Sequence, residues 1–130
     1  MKYKFFMILL LFSFTPSISN ADWIKLFSIN EGDLYIDGSS ITRKNNRIFY
    51  NQLVNYNNKK SNGVLSFISY SEVDCSNLNI RDLNYELFRG RMGKGVNIYK
   101  GTPTKKWKKY AKGTSANLVN ELLCERVHGR

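Results

Sequence analysis

Glu72 and Asp74 are the one closely spaced carboxylate pair on a segment with clear strand patterning. Two residues apart on one strand face, they stand about 7 Å from each other. That overlaps the carboxyl separation of an inverting glycosidase, roughly 6.5–9.5 Å. The chemistry also needs a cleft and one carboxyl with a raised pKa, and no sequence feature supplies either. Carboxylates on a strand face more commonly pair with basic residues across the sheet. Nucleophilic catalysis lacks its parts as well. The single imidazole is His128, in a basic tail with no ligand partner, and neither Cys75 nor Cys124 has a candidate base. One histidine and two cysteines fall short of the four N/S ligands of a closed zinc site. Gly90, Gly93 and Gly95 lack the strand-before, helix-after context of a phosphate loop and read as turn glycines. The expectation is a non-enzyme with no catalytic, cofactor-binding or metal residues.

The residues best suited to binding are basic. Lys105, Lys106, Lys108, Lys109 and Lys112 crowd around Trp107 and Tyr110. Such a cluster concentrates positive potential and attracts sulfated or phosphorylated polyanions and acidic protein patches. Trp107 offers a ring that stacks on a sugar or base, or one that packs beneath the loop. Arg89, Arg91 and Lys94 are candidates to extend the patch. No specific nucleic-acid partner is expected.

The whole chain carries 20 Lys and Arg against 10 Asp and Glu, for a net charge of +10. Its N-terminus reads as a secretory signal peptide over residues 1–21. Lys2 and Lys4 precede an apolar run from Phe5 to Phe12, extended by Phe14 and broken at Thr15-Pro16-Ser17. Ser19 and Ala21 set the −3 and −1 positions of a cleavage site. The run is too short for a membrane span, which needs about 20 residues. The mature domain is then residues 22–130, 109 residues with net charge +8. No transmembrane segment is expected in it. With no cysteine near the cleavage site, it is not expected to be a lipoprotein. Export to an oxidising space pairs the only two cysteines, Cys75 with Cys124.

The elements that must position these residues are mostly strands. Asp22–Ile29, Leu34–Asp37, Arg47–Tyr56, Val64–Cys75, Ile80–Phe88 and Val96–Tyr99 carry the β-formers, with Ile41 to Arg43 resuming the second strand. Val64–Cys75 is the longest. Turns fall at 30–33, at Asn45-Asn46, at 57–63 and at 89–95. Leu65, Phe67, Ser69, Ser71, Val73 and Cys75 share one face of the long strand by parity. Strict alternation places Arg81, Leu83, Tyr85 and Leu87 together on the fifth strand. Residues 101–113 read as a loop. A helix opens at Thr114 or Ser115, with Leu118, Val119, Leu122 and Leu123 as its apolar stripe. Cys124 lies nearly opposite that stripe, so either the helix ends there or the disulfide reaches round from its flank. The fold class is α+β: an antiparallel meander of about six strands with one C-terminal helix, stapled to the Cys75 face. The face away from the helix is then the free surface, with Tyr70 among its aromatics.

The landmarks run in order through Trp23, Leu34-Tyr35-Ile36-Asp37, Ser39-Ser40-Ile41 and Val73-Asp74-Cys75. A Gly-rich hairpin, Trp107, Gly113-Thr114-Ser115 and Leu122-Leu123-Cys124 complete them. In this order they resemble the surface-adhesin protein E-like domain family of Gram-negative bacteria, over essentially the whole mature chain. The resemblance implies a small antiparallel sheet with one C-terminal helix, export, no cofactor and no catalysis. It further implies an interaction module that binds host extracellular-matrix protein; the basic loop adds an acidic glycan or other polyanionic surface. The alternative is a periplasmic structural or inhibitory protein without adhesin activity. Periplasmic, surface and secreted locations stay open, as does a homo-oligomer.

Overall fold

The computed structural model describes residues 21–102 and 105–126. The signal-peptide reading of residues 1–20 and the tail that holds His128 lie outside the described residues. Seven strands are present: β1 (Trp23–Ile29), β2 (Gly32–Asp37), β3 (Thr42–Lys44), β4 (Arg47–Tyr56), β5 (Ser66–Asp74), β6 (Asn79–Phe88) and β7 (Asn97–Gly101). They form one antiparallel sheet in the order β1-β2-β4-β5-β6-β7, and β3 also pairs with β4. One α-helix among the described residues, α1 (Ser115–Arg126), follows. The expected α+β meander with a C-terminal helix is the observed fold.

Short polar turns set the register. At Asn45-Asn46, Asn45 adopts φ 54° and Lys44 pairs directly with Arg47; Asn reaches positive φ more readily than other non-glycine residues. β2 and β3 lie end to end along one edge of β4, against residues 52–56 and 47–49. Between them Asp37 caps a short 3-10 turn, accepting hydrogen bonds from Ser39 N–H at 3.0 Å and Ser39 Oγ at 2.6 Å. Ser40 Oγ donates to the Asp37 carbonyl at 2.7 Å and accepts from Asn51 N–H at 2.8 Å, tying the turn to β4. The expected resumption of the second strand is thus β3.

Two strand expectations need correction. β5 has nine residues, against ten each in β4 and β6, and so is not the longest strand. Its expected first residue, Val64, is taken up by the preceding turn, where Asn62 and Gly63 adopt φ 62° and 78° and Val64 bonds to Lys60 and Ser61. On β6, a bulge between the pairs Tyr70–Asn84 and Ser71–Asp82 leaves Leu83 as the extra residue. An extra residue shifts the alternation by one. Asp82 and Tyr85 therefore share a face that strict parity divides between them.

The core lies on the Cys75 face, where Ile36, Ile48, Tyr50, Val73 and Ile80 are buried and Leu26, Ile41, Tyr110 and Leu123 pack against them. α1 covers this face, but rotated from the expected stripe. Leu118 and Leu122 are 53% and 43% exposed, while Asn117 and Asn120 are buried. The Cys75–Cys124 disulfide, with a Cα–Cα distance of 5.6 Å, explains the rotation. Residues 117, 120 and 124 share one helix face. Cys124 held over Cys75 turns that face inward and Leu118 and Leu122 outward. The helix runs past Cys124 to Arg126, and the bond leaves from its inward side. Asn120 is accommodated by the buried Tyr50 hydroxyl, which donates to its Oδ1 at 3.0 Å.

Thr114 is the N-cap: its Oγ1 accepts from Asn117 N–H at 3.3 Å. Thr114→Ala should lower stability by about 1 kcal/mol, read as a shift of the urea midpoint at unchanged slope.

Candidate functional site

The basic loop continues from β7 back along the edge of β6. Lys108 N–H donates to the Ile80 carbonyl at 2.9 Å, and Ile80 N–H donates to the Lys108 carbonyl at 2.8 Å. This pairing makes one residue of the expected loop an extra strand position. Neighbouring side chains on an extended segment point to opposite faces, so Lys108 and Trp107 separate. Lys108 projects on the helix side, with Nζ 3.6 Å from Asp82 Oδ2. Trp107 lies on the other face, half-buried, its ring centroid 4.2 Å from the Arg81 guanidinium carbon and 5.0 Å from that of Arg47. Lys105, Lys106, Lys109 and Lys112 are exposed. Among the described residues, Lys108 alone of the five lysines pairs with a carboxylate.

Arg89, Arg91 and Lys94 do not extend this patch. They sit in the β6–β7 turn, nine residues along β6 from Ile80, about 30 Å away at roughly 3.4 Å per residue. The turn instead folds onto the second face of the sheet. Asn55 Oδ1 accepts from Met92 N–H at 2.7 Å, and Ser66 Oγ accepts from Gly93 N–H at 2.9 Å. Arg91 donates to the Tyr56 and Asn57 carbonyls at 2.9 and 3.2 Å. Met92 and Gly93, at φ 58° and 68°, bring the backbone close enough for these bonds.

Glu72 sits beside the Trp107 ring contacts. It is buried and accepts from Arg47 at Oε2 and from Arg81 at Oε1, both at 2.7 Å. Arg47 also lies 3.7 Å from Asp74. Burial alone would raise the Glu72 carboxyl. The hydrogen bonds and charges of Arg81 and Arg47 outweigh it and hold the group below the ordinary carboxylate range. Asp74 is also lowered, first by the hydrogen bonds of Ser76. A general acid needs the opposite shift. The pair is a basic–acidic cluster beneath Trp107, built as cross-strand contacts of β4, β5 and β6.

Apolar side chains reach the surface on both faces of the sheet. On the second face Tyr70 is half-buried and stacks on Phe49, with centroids 6.1 Å apart. Apolar surface also lies on the helix side. α1 has 12 residues, about 18 Å, and β4 has ten, about 34 Å. The helix therefore covers only one end of its face. At the other end one row crosses all six consecutive strands as Phe27, Leu34, Val54, Phe67, Leu87 and Tyr99, each paired with the next. None of the six is fully buried, and Tyr99 is 50% exposed. The row is invisible in the linear sequence, where its members are scattered over more than seventy positions.

A family model described as surface-adhesin protein E matches residues 23–125. The chain belongs to the surface-adhesin protein E family. Solved structures agree on the fold. Protein E of Haemophilus influenzae in its selenomethionine form superposes with a TM-score of 0.62 at 16% identity, covering 85% of this chain and 92% of that one. Its second crystal form gives 0.59 at 18% identity, with the same coverage. Protein E from a non-typeable strain gives 0.58 at 18% identity, covering 85% and 80%. No curated protein sequence matches. Several landmarks of the protein E resemblance have structural duties here. Asp37 and Ser39-Ser40 build the β2–β3 turn, Trp107 covers the Arg47–Glu72–Arg81 cluster, and Thr114 caps the helix. Family membership thus accounts for the frame and assigns none of the lysines. No helix among the described residues is long and apolar enough to cross a membrane.

Proposed function

We propose that this member of the protein E family is an exported, non-enzymatic interaction module whose basic loop contacts an acidic surface. That surface is a sulfated glycan or an acidic patch of an extracellular-matrix protein. The observation that carries the reading is the exposure of Lys105, Lys106, Lys109 and Lys112 without carboxylate partners among the described residues, on a loop braced by the Lys108–Ile80 pairing. At physiological salt the screening length is about 8 Å, so clustered and unneutralised charges dominate attraction. The brace keeps the cluster presented while Trp107 is held by Arg81 and Arg47. Lys108, tied to Asp82, anchors the loop more than it contributes free charge.

The test is elution from a heparin column. Lys106→Glu/Lys109→Glu should leave the column at clearly lower salt than the unaltered protein, with unchanged thermal stability. The distant Arg89→Glu/Lys94→Glu variant should shift less. Equal elution of the loop variant and the unaltered protein would overturn the reading.

A further inference from the structure

The antiparallel order brings three turns, residues 30–31, 57–65 and 89–96, to one end of the sheet, opposite the disulfide. Hydrogen bonds tie them together. Asn57 N–H donates to the Glu31 carbonyl at 2.8 Å, and Arg89 Nε donates to the Asn62 carbonyl at 3.1 Å. Arg91 adds its bonds to the Tyr56 and Asn57 carbonyls. These turns carry five cations, Lys59, Lys60, Arg89, Arg91 and Lys94, against one carboxylate, Glu31. All five are exposed. Glu31 pairs with Lys60 at 3.3 Å, and Asp33, on the other face of β2 from Leu34, pairs with Lys25 at 3.4 Å. Lys59, Arg89 and Lys94 have no carboxylate partner among the described residues. The basic loop, about 30 Å away along β6, does not account for them.

The apolar row from Phe27 to Tyr99 opens at this same end. Toward the turns, Ile29 and Tyr56 follow Phe27 and Val54 on the same face by strand alternation. Ile29 is 41% exposed, and Val96, which accepts from Arg89 N–H at 3.0 Å, is 60% exposed. They stand at opposite edges of the sheet, five strand spacings or roughly 24 Å apart. Cations lie between them: Lys60 sits 5.1 Å from the Tyr56 ring centroid, and Arg89 continues β6. Exposed apolar tips with cations interspersed are the pattern of interfacial membrane binding. The tips enter the headgroup–acyl boundary while Lys and Arg meet the lipid phosphates. A peptide helix, about 10 Å across, meets one tip unless it lies across all six strands; a bilayer surface meets both at once. We propose that this end of the sheet docks on an anionic phospholipid surface, with Ile29 and Val96 inserted and Lys59, Arg89 and Lys94 at the phosphates. The site does not rest on the reading of the basic loop.

The test is flotation with vesicles of three parts phosphatidylglycerol to seven of phosphatidylcholine, against phosphatidylcholine alone. It uses residues 22–130, which hold every described strand and α1 and omit the apolar N-terminal run. This domain should float with the anionic vesicles and stay behind with the neutral ones. Lys59→Glu/Lys94→Glu and Lys106→Glu/Lys109→Glu change the net charge equally, so position alone separates them. The first should weaken binding at least tenfold, since each cation at such a surface is worth about fivefold. The second should weaken it about threefold at most, whatever it does on heparin, because the loop lies well beyond the screening length of about 8 Å. Ile29→Ser/Val96→Ser keeps the charge and should weaken binding about tenfold through lost apolar burial. Melting curves show that each variant is folded. As a second readout, Val96→Trp should add blue-shifted emission with anionic vesicles, and Leu118→Trp, on the exposed side of α1, should add none. Failure of the unaltered domain to float with anionic vesicles would overturn the proposal, as would equally tight binding to neutral ones. Equal losses in the two charge variants, full binding by Ile29→Ser/Val96→Ser, or no added blue shift in Val96→Trp would overturn it as well.

Discussion

Replacing Cys75 and Cys124 together by alanine should lower stability by about 2–4 kcal/mol, and the melting temperature of this small domain by roughly 10–25 °C. The bond closes a loop with a sequence separation of 49. The chain-entropy relation assigns a loop of this size about 4 kcal/mol, the upper end of the expected effect. The geometry of α1 explains why little else compensates. Its inward side carries the buried Asn117 and Asn120, with Leu123 the one leucine of the three packed on the core, and Leu118 and Leu122 face solvent. Among the described residues the other fastenings are Leu123 packed on the core, the Tyr50–Asn120 hydrogen bond and Arg43 NH1, which donates to the Cys124 carbonyl at 2.9 Å. Without the disulfide, α1 should detach before the sheet unfolds. The checks are thermal melting of the double variant and amide exchange. Exchange should rise first over residues 115–126, and protection there equal to that of β4 would refute the account.

The second large effect concerns Glu72. Glu72→Gln should lower stability at neutral pH by about 2–3 kcal/mol. Breaking a buried ion pair costs roughly 3–5 kcal/mol, reduced here because the two arginines remain partly in solvent. The side chains of Arg47 and Arg81 are 38% and 28% exposed, against 7% for Glu72. Removing the carboxylate leaves two guanidinium groups sharing one face beneath Trp107 without the charge that joins them. The pH dependence has a definite sign. The folded-state pKa of Glu72 lies below its ordinary value of 4.5. Its stabilisation is therefore complete above about pH 4.5 and disappears as pH falls through the folded value. The stability gap between the unaltered protein and Glu72→Gln should be constant from pH 7 to 5 and close below pH 4. A gap that persists unchanged at pH 3 would show that the charge is not its source. The same measurement bears on catalysis, since a hydrolytic general acid would require Glu72 or Asp74 to titrate above the usual range rather than below it.

Local chemistry in the sequence determined most of the frame. Period-two runs of β-formers marked β4 with its observed ends, Asn45-Asn46 marked a two-residue turn, and Thr114 or Ser115 marked the start of the helix. The two cysteines in a chain with an export-like N-terminus left one pairing, which the fold contains. These features depend on residues near one another in the chain, or on a count. The tertiary structure decided whatever depends on register between distant segments. The bulge at Leu83 reassigned the faces of β6, because one extra residue inverts all later parity. The disulfide set the rotation of α1 against the leucine stripe, because a covalent constraint outweighs the burial of two leucines. Pairing of Lys108 with Ile80 sent Trp107 and Lys108 to opposite faces and left Arg89 and Arg91 at the far end of the sheet. The apolar row from Phe27 to Tyr99 arises only where six strands align and a helix too short for them stops. Residue types and spacings mark which segments can form strands and turns; which side chains end up beside one another, and which face is left uncovered, follow from long-range pairing and the finite length of the covering helix.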